Sequence, residues 1–279
     1  MKQDQIEAFW DANCCGQDLV GRPNDEMFED FFKRYDEYRY RWEHHIPRCL
    51  DELNLAGKRV LEIGLGQGAD SELLIRRGAS WTGVDLTSES VKRVRIRLEV
   101  RRLPFDDIVK GSVLNLPFAD SQFDLVFSHG VLHHVPNILR AQEEIHRVLK
   151  PNGELVVMLY SKRSLNYLVS IAILRRMGLL TMATLGIEGR GIYAKHLAQA
   201  KKMGLRRYLK LSGFVSRNTD GPENPYSKVY SSKDIEEDFP LFRIERLHRE
   251  CMHAPPLPVQ NLPGASLLGW HLWAHLRPT

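Results

Sequence analysis

Residues Arg59 to Asp70 read RVLEIGLGQGAD, and the fold turns on how this stretch is read. The apolar run Val60-Leu61-Glu62-Ile63 predicts a buried parallel strand. Three glycines at alternate positions, Gly64, Gly66 and Gly68, predict a tight turn into a helix. Without Cβ atoms that backbone can bend sharply and lie against a ligand. The helix N-terminus behind it offers unpaired N–H groups and a partial positive charge, which suits a carboxylate or phosphate. Gly64-x-Gly66-x-x-Ala69 also satisfies the looser dinucleotide fingerprint, and a turn with no ligand fits the glycines too. Trp81-Thr82-Gly83-Val84-Asp85 narrows the choice. It reads as the second strand with an acid at its carboxyl end, where a carboxylate can accept from both hydroxyls of a ribose. Glycines and acid together point to a nucleoside ligand.

The chain has 279 residues, 43% hydrophobic and 27% charged, as in an ordinary soluble globular protein of one large domain or one domain with an insertion. A net charge of +4 is too small to argue for nucleic acid. The basic residues lack the interleaved aromatics of a single-strand platform. Cys14, Cys15, Cys49 and Cys251 show no C-x-x-C spacing. They read as reduced thiols in a cytoplasmic protein. A thiolate site for a soft metalloid, built on Cys14-Cys15, is the remote alternative. No metal site is expected. The N-terminus, MKQDQIEAFWDANCC, lacks the pattern of a secretory signal. No uninterrupted apolar run approaches the ~20 residues of a membrane span.

Residues 1–57 are rich in aromatics and read as a helical cap, with Tyr40 or Arg41 placed to reach a ligand carboxylate. From Lys58 strands and helices alternate. The expected strands are Arg59–Ile63, Trp81–Asp85, about 108–113, Phe123–Ser128 and Glu154–Tyr160, with helices over about 67–77, 88–102 and 138–149. Lys150-Pro151-Asn152-Gly153 reads as a turn. The arginine-rich helix after Ser88 is expected to present a solvated face. This alternation implies a doubly wound parallel sheet with its ligand beyond the carboxyl strand ends. Residues 161–231 interrupt it. Ser161–Lys210 holds eleven Lys or Arg and one acid, Glu188, with two apolar runs split by Arg175-Arg176. It reads as a lid or homodimer contact, or as a surface that meets anionic lipid. Two late strands, 242–251 and 268–276, close the chain.

Glu62-x-Gly64-x-Gly66-x-Gly68, Gly83-Val84-Asp85, the stretch LPFADSQFDLVFSHGVLHHVP from Leu116 to Pro136, and Leu149-Lys150-Pro151-Asn152-Gly153-Glu154 together resemble the class I S-adenosylmethionine-dependent methyltransferases. The flavour is that of the ubiquinone/menaquinone-biosynthesis small-molecule type. The resemblance covers about 58–160. It implies a Rossmann-like α/β fold of seven strands, mostly parallel with the last antiparallel, with helices on both faces. It also implies methyl transfer from S-adenosyl-L-methionine to O, N or C of a small, largely apolar or amphipathic acceptor. The chain then divides into a cap (1–57), a cofactor-binding core (58–160), an insertion (161–231) and the rest of the core sheet (232–279). Carried over by position, Glu62, Gly64, Gly66 and Gly68 would hold the methionine moiety, Asp85 the ribose and Leu86 the adenine. The family's usual acid after the third strand is Ser112 here, so the adenine contact leans on Ser112 or Val113. His129 falls near the sulfonium side. That missing acid is the support for the alternative, a non-catalytic cofactor-binding scaffold.

Methyl transfer needs an aligned nucleophile and, where the nucleophile carries a proton, a base. The candidates are His129, whose imidazole offers a neutral acceptor at pH 7, His133 with its neighbour His134 in the Leu-His-His run that the resembled family shares, one of the two expected to cap the next helix instead, and Tyr160 at the end of the fifth strand.

Overall fold

The computed structural model describes residues 3–13 and 28–279. The expectation attached to Cys14 and Cys15 lies outside the described residues. The chain runs α1 (Gln3–Ala12), α2 (Phe28–Trp42), α3 (His45–Asp51), β1 (Arg59–Ile63), α4 (Ala69–Arg76), β2 (Ser80–Asp85), α5 (Ser88–Val100), β3 (Asp107–Lys110), β4 (Phe123–His129), α6 (Ile138–Val148) and β5 (Leu149–Tyr160). A π-helical segment, Asn166–Arg175, runs straight into α7 (Arg176–Thr184). Then come α8 (Ile192–Met203), α9 (Leu205–Tyr208), α10 (Leu211–Thr219), α11 (Ser232–Asp238), β6 (Phe242–Glu250), α12 (Ala265–Leu268) and β7 (His271–Pro278).

The seven strands form one sheet in the order β3-β2-β1-β4-β5-β7-β6. The pairings from β3 across to β5 are parallel, and β7 lies antiparallel between β5 and β6. This is the mixed, mostly parallel sheet expected. Alternate strand residues point to opposite faces, and helices cover both. Leu61, Ile63, Val126 and Val157 pack with Ile145 of α6 and Ile235 of α11. Val60, Leu125, Phe127 and Val156 pack with Ile46 of α3, Leu74 of α4 and Val94 of α5. Burial on both faces explains why these strands read as continuous apolar runs.

Local differences have physical causes. Thr87, not Ser88, caps α5: its side chain accepts from Ser90 N. The Lys150–Gly153 turn signal is a bulge inside β5, where Phe123 pairs with Leu149 and Leu125 already pairs with Glu154. Strand β3 stops at Lys110, so Gly111, Ser112 and Val113 lie in the following loop. Arg175-Arg176, which separates the two apolar runs in the sequence, does not break the helix, since both residues are helical. The insertion's helices gather a core of their own around Ile171, Tyr208 and Phe214, joined to the sheet by Tyr160 and Trp270.

The basic residues of α5 are not one solvated face: Lys92 and Arg95 are exposed, but Arg93 and Arg97 are buried. Arg97 is 1% exposed and lies over the Phe32 ring. Its Nη2 donates to both Asp36 oxygens at 2.7 and 2.6 Å, and its Nε donates to Glu72 at 3.0 Å. Arg101 joins the same two carboxylates. The network fastens α2, which carries Asp36, to α4 and α5, and so sets the cap over the glycine turn. Removing one partner from a buried ionic cluster strands the others. Arg97→Met is therefore expected to lower the unfolding free energy by about 3 kcal/mol in urea denaturation, and a loss under ~0.5 kcal/mol would show the network to be ornamental.

Candidate functional site

A cavity of about 290 Å³ opens over the carboxyl ends of β1, β2, β4 and β5. One half is built by the glycine turn. Gly64 has φ +83°, and a Cβ there would sit 2.1 Å from Val131 Cγ2, so both backbone and space require glycine. Asp85, at the end of β2, accepts from Leu65 N at 2.7 Å and from Thr87 N and Oγ1 at 2.8 and 2.7 Å. Burial raises its pKa, opposed by these hydrogen bonds. Leu86, Ser112 and Val113 line the wall beside it. Ser112 Oγ accepts from Leu114 N at 3.1 Å, so it partly serves its own turn.

Glu62 lies on the floor, 2% exposed, and accepts from Trp81 Nε1 at 2.8 Å. Burial pushes its pKa up to about 8, with Asp70 adding to the rise.

The centre is electrostatic. Arg39 of α2 donates to Asp70 at 2.6 Å, pairs with Glu43 at 3.1 Å and reaches His129 Nδ1 at 3.2 Å. Burial disfavours its charge, but Asp70 and Glu43 outweigh burial. A guanidinium can only donate, so His129 Nδ1 is the accepting nitrogen and Nε2 carries the hydrogen. Burial, then the neighbouring Arg39, holds His129 neutral. The lone pair expected of His129 as a base is thus spent on Arg39. His45 Nε2 and His271 Nδ1 stand 3.0 Å apart close by, and the three histidines could gather round a cation. The fixed positive charge of Arg39 against His129 opposes that use.

The other half is aromatic and reaches into the insertion. Trp10, Met158, Tyr160, His134, Asp220 and His271 line it. Tyr160 stacks on Trp270 with ring centroids 4.4 Å apart and donates from its OH to Asp220 Oδ1 at 3.1 Å. His134 Nδ1 is 2.7 Å from Tyr226 O, which can only accept. Its hydrogen therefore sits on Nδ1, and Nε2 faces Asp220 Oδ2 at 3.4 Å with no hydrogen-bond partner. Asn224 Nδ2 donates to Ser227 Oγ at 2.9 Å and to Asp220 at 3.3 Å, so the Asn224-Pro225-Tyr226-Ser227 turn positions this corner.

Three expected site residues stand elsewhere. His133 is fully buried behind the wall, its ring 3.7 Å from that of Tyr160. Gly68 caps α4 and faces Val94 and Arg97 of α5 rather than the cavity. Tyr40 packs into the core beside α3 and α5 while Arg39, one residue earlier, faces the cavity; Arg41 is exposed. Gly64, Gly66, Glu62, Asp85, Leu86, Ser112, Val113, His129 and Tyr160 do converge on it. Arg39, Asp70 and Asp220 were the residues missed, and of the Leu-His-His pair it is His134, not His133, that lines the cavity. Helical spacing could have singled out Arg39, but Asp220 carries no local signal.

Residues 61–157 match the family described as the methyltransferase domain. The chain is 39% identical over 108 residues to a phthiotriol/phenolphthiotriol dimycocerosates methyltransferase of Mycobacterium tuberculosis, which covers 38% of this chain and 39% of that one. It thus spans about two fifths of the length of these curated relatives. It is 29% identical to a ubiquinone biosynthesis O-methyltransferase of Azoarcus sp., over 74% of this chain and 92% of that one. Among solved structures, an S-adenosylmethionine-dependent methyltransferase from Aquifex aeolicus shares the fold. Its TM-score is 0.54 at 15% identity, over 91% of this chain and 98% of that one. Residues 61–157 thus carry the likeness to a methyltransferase domain, and the solved structure shares the fold alone.

The cavity suits the S-adenosyl-L-methionine that the sequence resemblance implies. The glycine turn lines one wall, and Asp85 sets its carboxylate beside the apolar Leu86 and Val113, the pairing of acid and apolar surface that a ribose and a base call for.

Glu62 gives a pH signature. It is protonated in the folded state up to about pH 8 and ionises near 4.3 when unfolded. Its stabilising contribution is therefore complete below that lower pKa and is lost as pH rises toward the folded one. Glu62→Gln keeps an acceptor for Trp81 and removes this loss. Its stability relative to the native chain is expected to grow by about 1.4 kcal/mol per pH unit between roughly pH 5 and 8, measured by urea denaturation; a pH-independent difference would contradict a protonated Glu62.

Proposed function

We propose that the domain methylates a hydroxyl oxygen on a small, largely apolar acceptor seated against Trp10, Met158 and Tyr160, with His134 taking the hydroxyl proton. The supporting observation is the orphaned corner. His134 Nε2 and Asp220 Oδ2 are two acceptors facing each other at 3.4 Å, and Nε2 is buried with nothing donating to it. Buried polar atoms without partners are costly. An acceptor O–H that donates to Nε2 gives that nitrogen its missing partner and is placed to lose its proton there, beside the Asp220 carboxylate. Tyr160 and Asn224 hold Asp220, and the Tyr226 carbonyl holds the His134 tautomer.

The bound cofactor supplies a methyl group already activated by the positive sulfur. The chain's own work is then to align the nucleophile, exclude water and hold the released proton. Arg39, Asp70 and His129 form a fixed polar cluster at the junction of the two halves. The aromatic wall supplies the apolar surface. The names of the relatives, a lipid methyltransferase and a ubiquinone O-methyltransferase, agree with an apolar, hydroxyl-bearing acceptor.

The test is turnover with methyl-labelled cofactor across phenols, quinols and amphipathic hydroxy acids. His134→Ala is expected to lower kcat by about 10²–10⁴-fold, the usual worth of a general base, while S-adenosylhomocysteine affinity stays within about twofold since His134 lies in the acceptor half. Undiminished turnover in the variant would refute the base. Labelling of amines or thiols with no reaction on hydroxyls would refute the acceptor class.

A further inference from the structure

The insertion carries a surface that the cleft does not use. Its first long helix, Asn166–Thr184, runs for 19 residues with mean hydropathy 1.3, long and apolar enough to cross a membrane, yet only 17% of that window is buried in the protein. Large apolar side chains then face solvent in succession. Met177 is 61% exposed, Leu180 45%, Leu185 69%, Ile187 48%, Ile192 50% and Tyr193 42%. Single exposed apolar residues are normal, but a contiguous run calls for a partner. Beside them, between α7 and the segment around α9, lies a groove lined by Arg176, Arg206, Arg207 and Lys210 together with leucines, and no carboxylate lines it.

We propose that this face docks on the surface of an anionic lipid bilayer, with its apolar side chains below the headgroups and the groove cations at the phosphates. The charge selects the occupant. Ser161–Lys210 holds eleven Lys or Arg against Glu188 alone. A second copy of the chain would set these cations against themselves, whereas an anionic surface neutralises them. The helix lies on the bilayer rather than through it. Arg175 donates to Asn218 O at 2.7 Å and to Pro255 O at 3.1 Å, and Arg176 donates to Leu209 O at 2.9 Å. A spanning helix would strip both guanidiniums from these carbonyls, while an interfacial one keeps them. The same insertion supplies Asp220 to the acceptor half of the cleft, so docking brings the acceptor site to a lipid phase. The docking itself does not depend on the acceptor's identity.

The test is flotation of the full chain with phosphatidylcholine vesicles prepared with and without phosphatidylglycerol, at low and high salt. S-adenosylhomocysteine titration of each variant serves as the check of folding and separates a failure here from a failure of the enzymatic reading. Binding is expected only to the anionic vesicles and to weaken with salt. A cation near such a surface is worth about fivefold in partitioning, so Arg206→Glu with Arg207→Glu is expected to weaken binding about 25-fold or more. Leu185→Asp with Ile187→Asp is expected to abolish flotation. The proposal is overturned by equal binding to neutral and anionic vesicles, by no binding to either, or by a dimer in solution that these apolar substitutions dissociate.

Discussion

Asp85 accepts from Leu65 N at 2.7 Å and from both polar groups of Thr87 at 2.8 and 2.7 Å, so one buried carboxylate ties the glycine turn after β1 to the start of α5. Everything on the cofactor side follows from that tie. The turn cannot move away from β2 without abandoning a charged acceptor in a dry place. Gly64, pressed against Val131, then fixes how closely the loop after β4 approaches. The same contact brings His129, two residues before Val131, over the centre of the cavity.

The acceptor side is held differently. Its walls come from Tyr160 at the end of β5, from the turn after β4, and from the helical insertion, and they meet through Asp220. The proposed base, built across two distant segments, is sensitive to how the insertion sits. The core around Ile171, Tyr208 and Phe214 keeps that placement. The cofactor half is thus fixed by backbone hydrogen bonds and the acceptor half by side-chain packing. This division lets one nucleoside-binding frame take different acceptors.

The sheet was legible because its central strands are buried on both faces, which leaves uninterrupted apolar runs, and because Gly64, Gly66 and Asp85 answer to local backbone and charge requirements. The rest depends on tertiary contact. Arg93 and Arg97 looked like solvent-facing charges, since the sequence does not show that Asp36 and Glu72 come to meet Arg97 from two other helices. His129 looked like a free base until Arg39 was found donating to it. Arg39 and Tyr40 lie about 100° apart around α2, and the four-residue step from the buried Tyr35 leads to Arg39, so helical phase, not the aromatic content of the segment, was the signal to follow. His133 and His134 are adjacent in sequence, yet the 3₁₀ turn at Leu132–His134 buries one behind Tyr160 and faces the other to Asp220.

Calorimetric titration of the full chain with S-adenosylhomocysteine, repeated with NADH and with Asp85→Ala, bears most directly on the account of the cleft. The account predicts saturable heat with S-adenosylhomocysteine, none with NADH, and loss of the signal in an Asp85→Ala protein whose circular dichroism remains that of the folded chain. Heat with NADH alone, or an unchanged S-adenosylhomocysteine isotherm in Asp85→Ala, would contradict it.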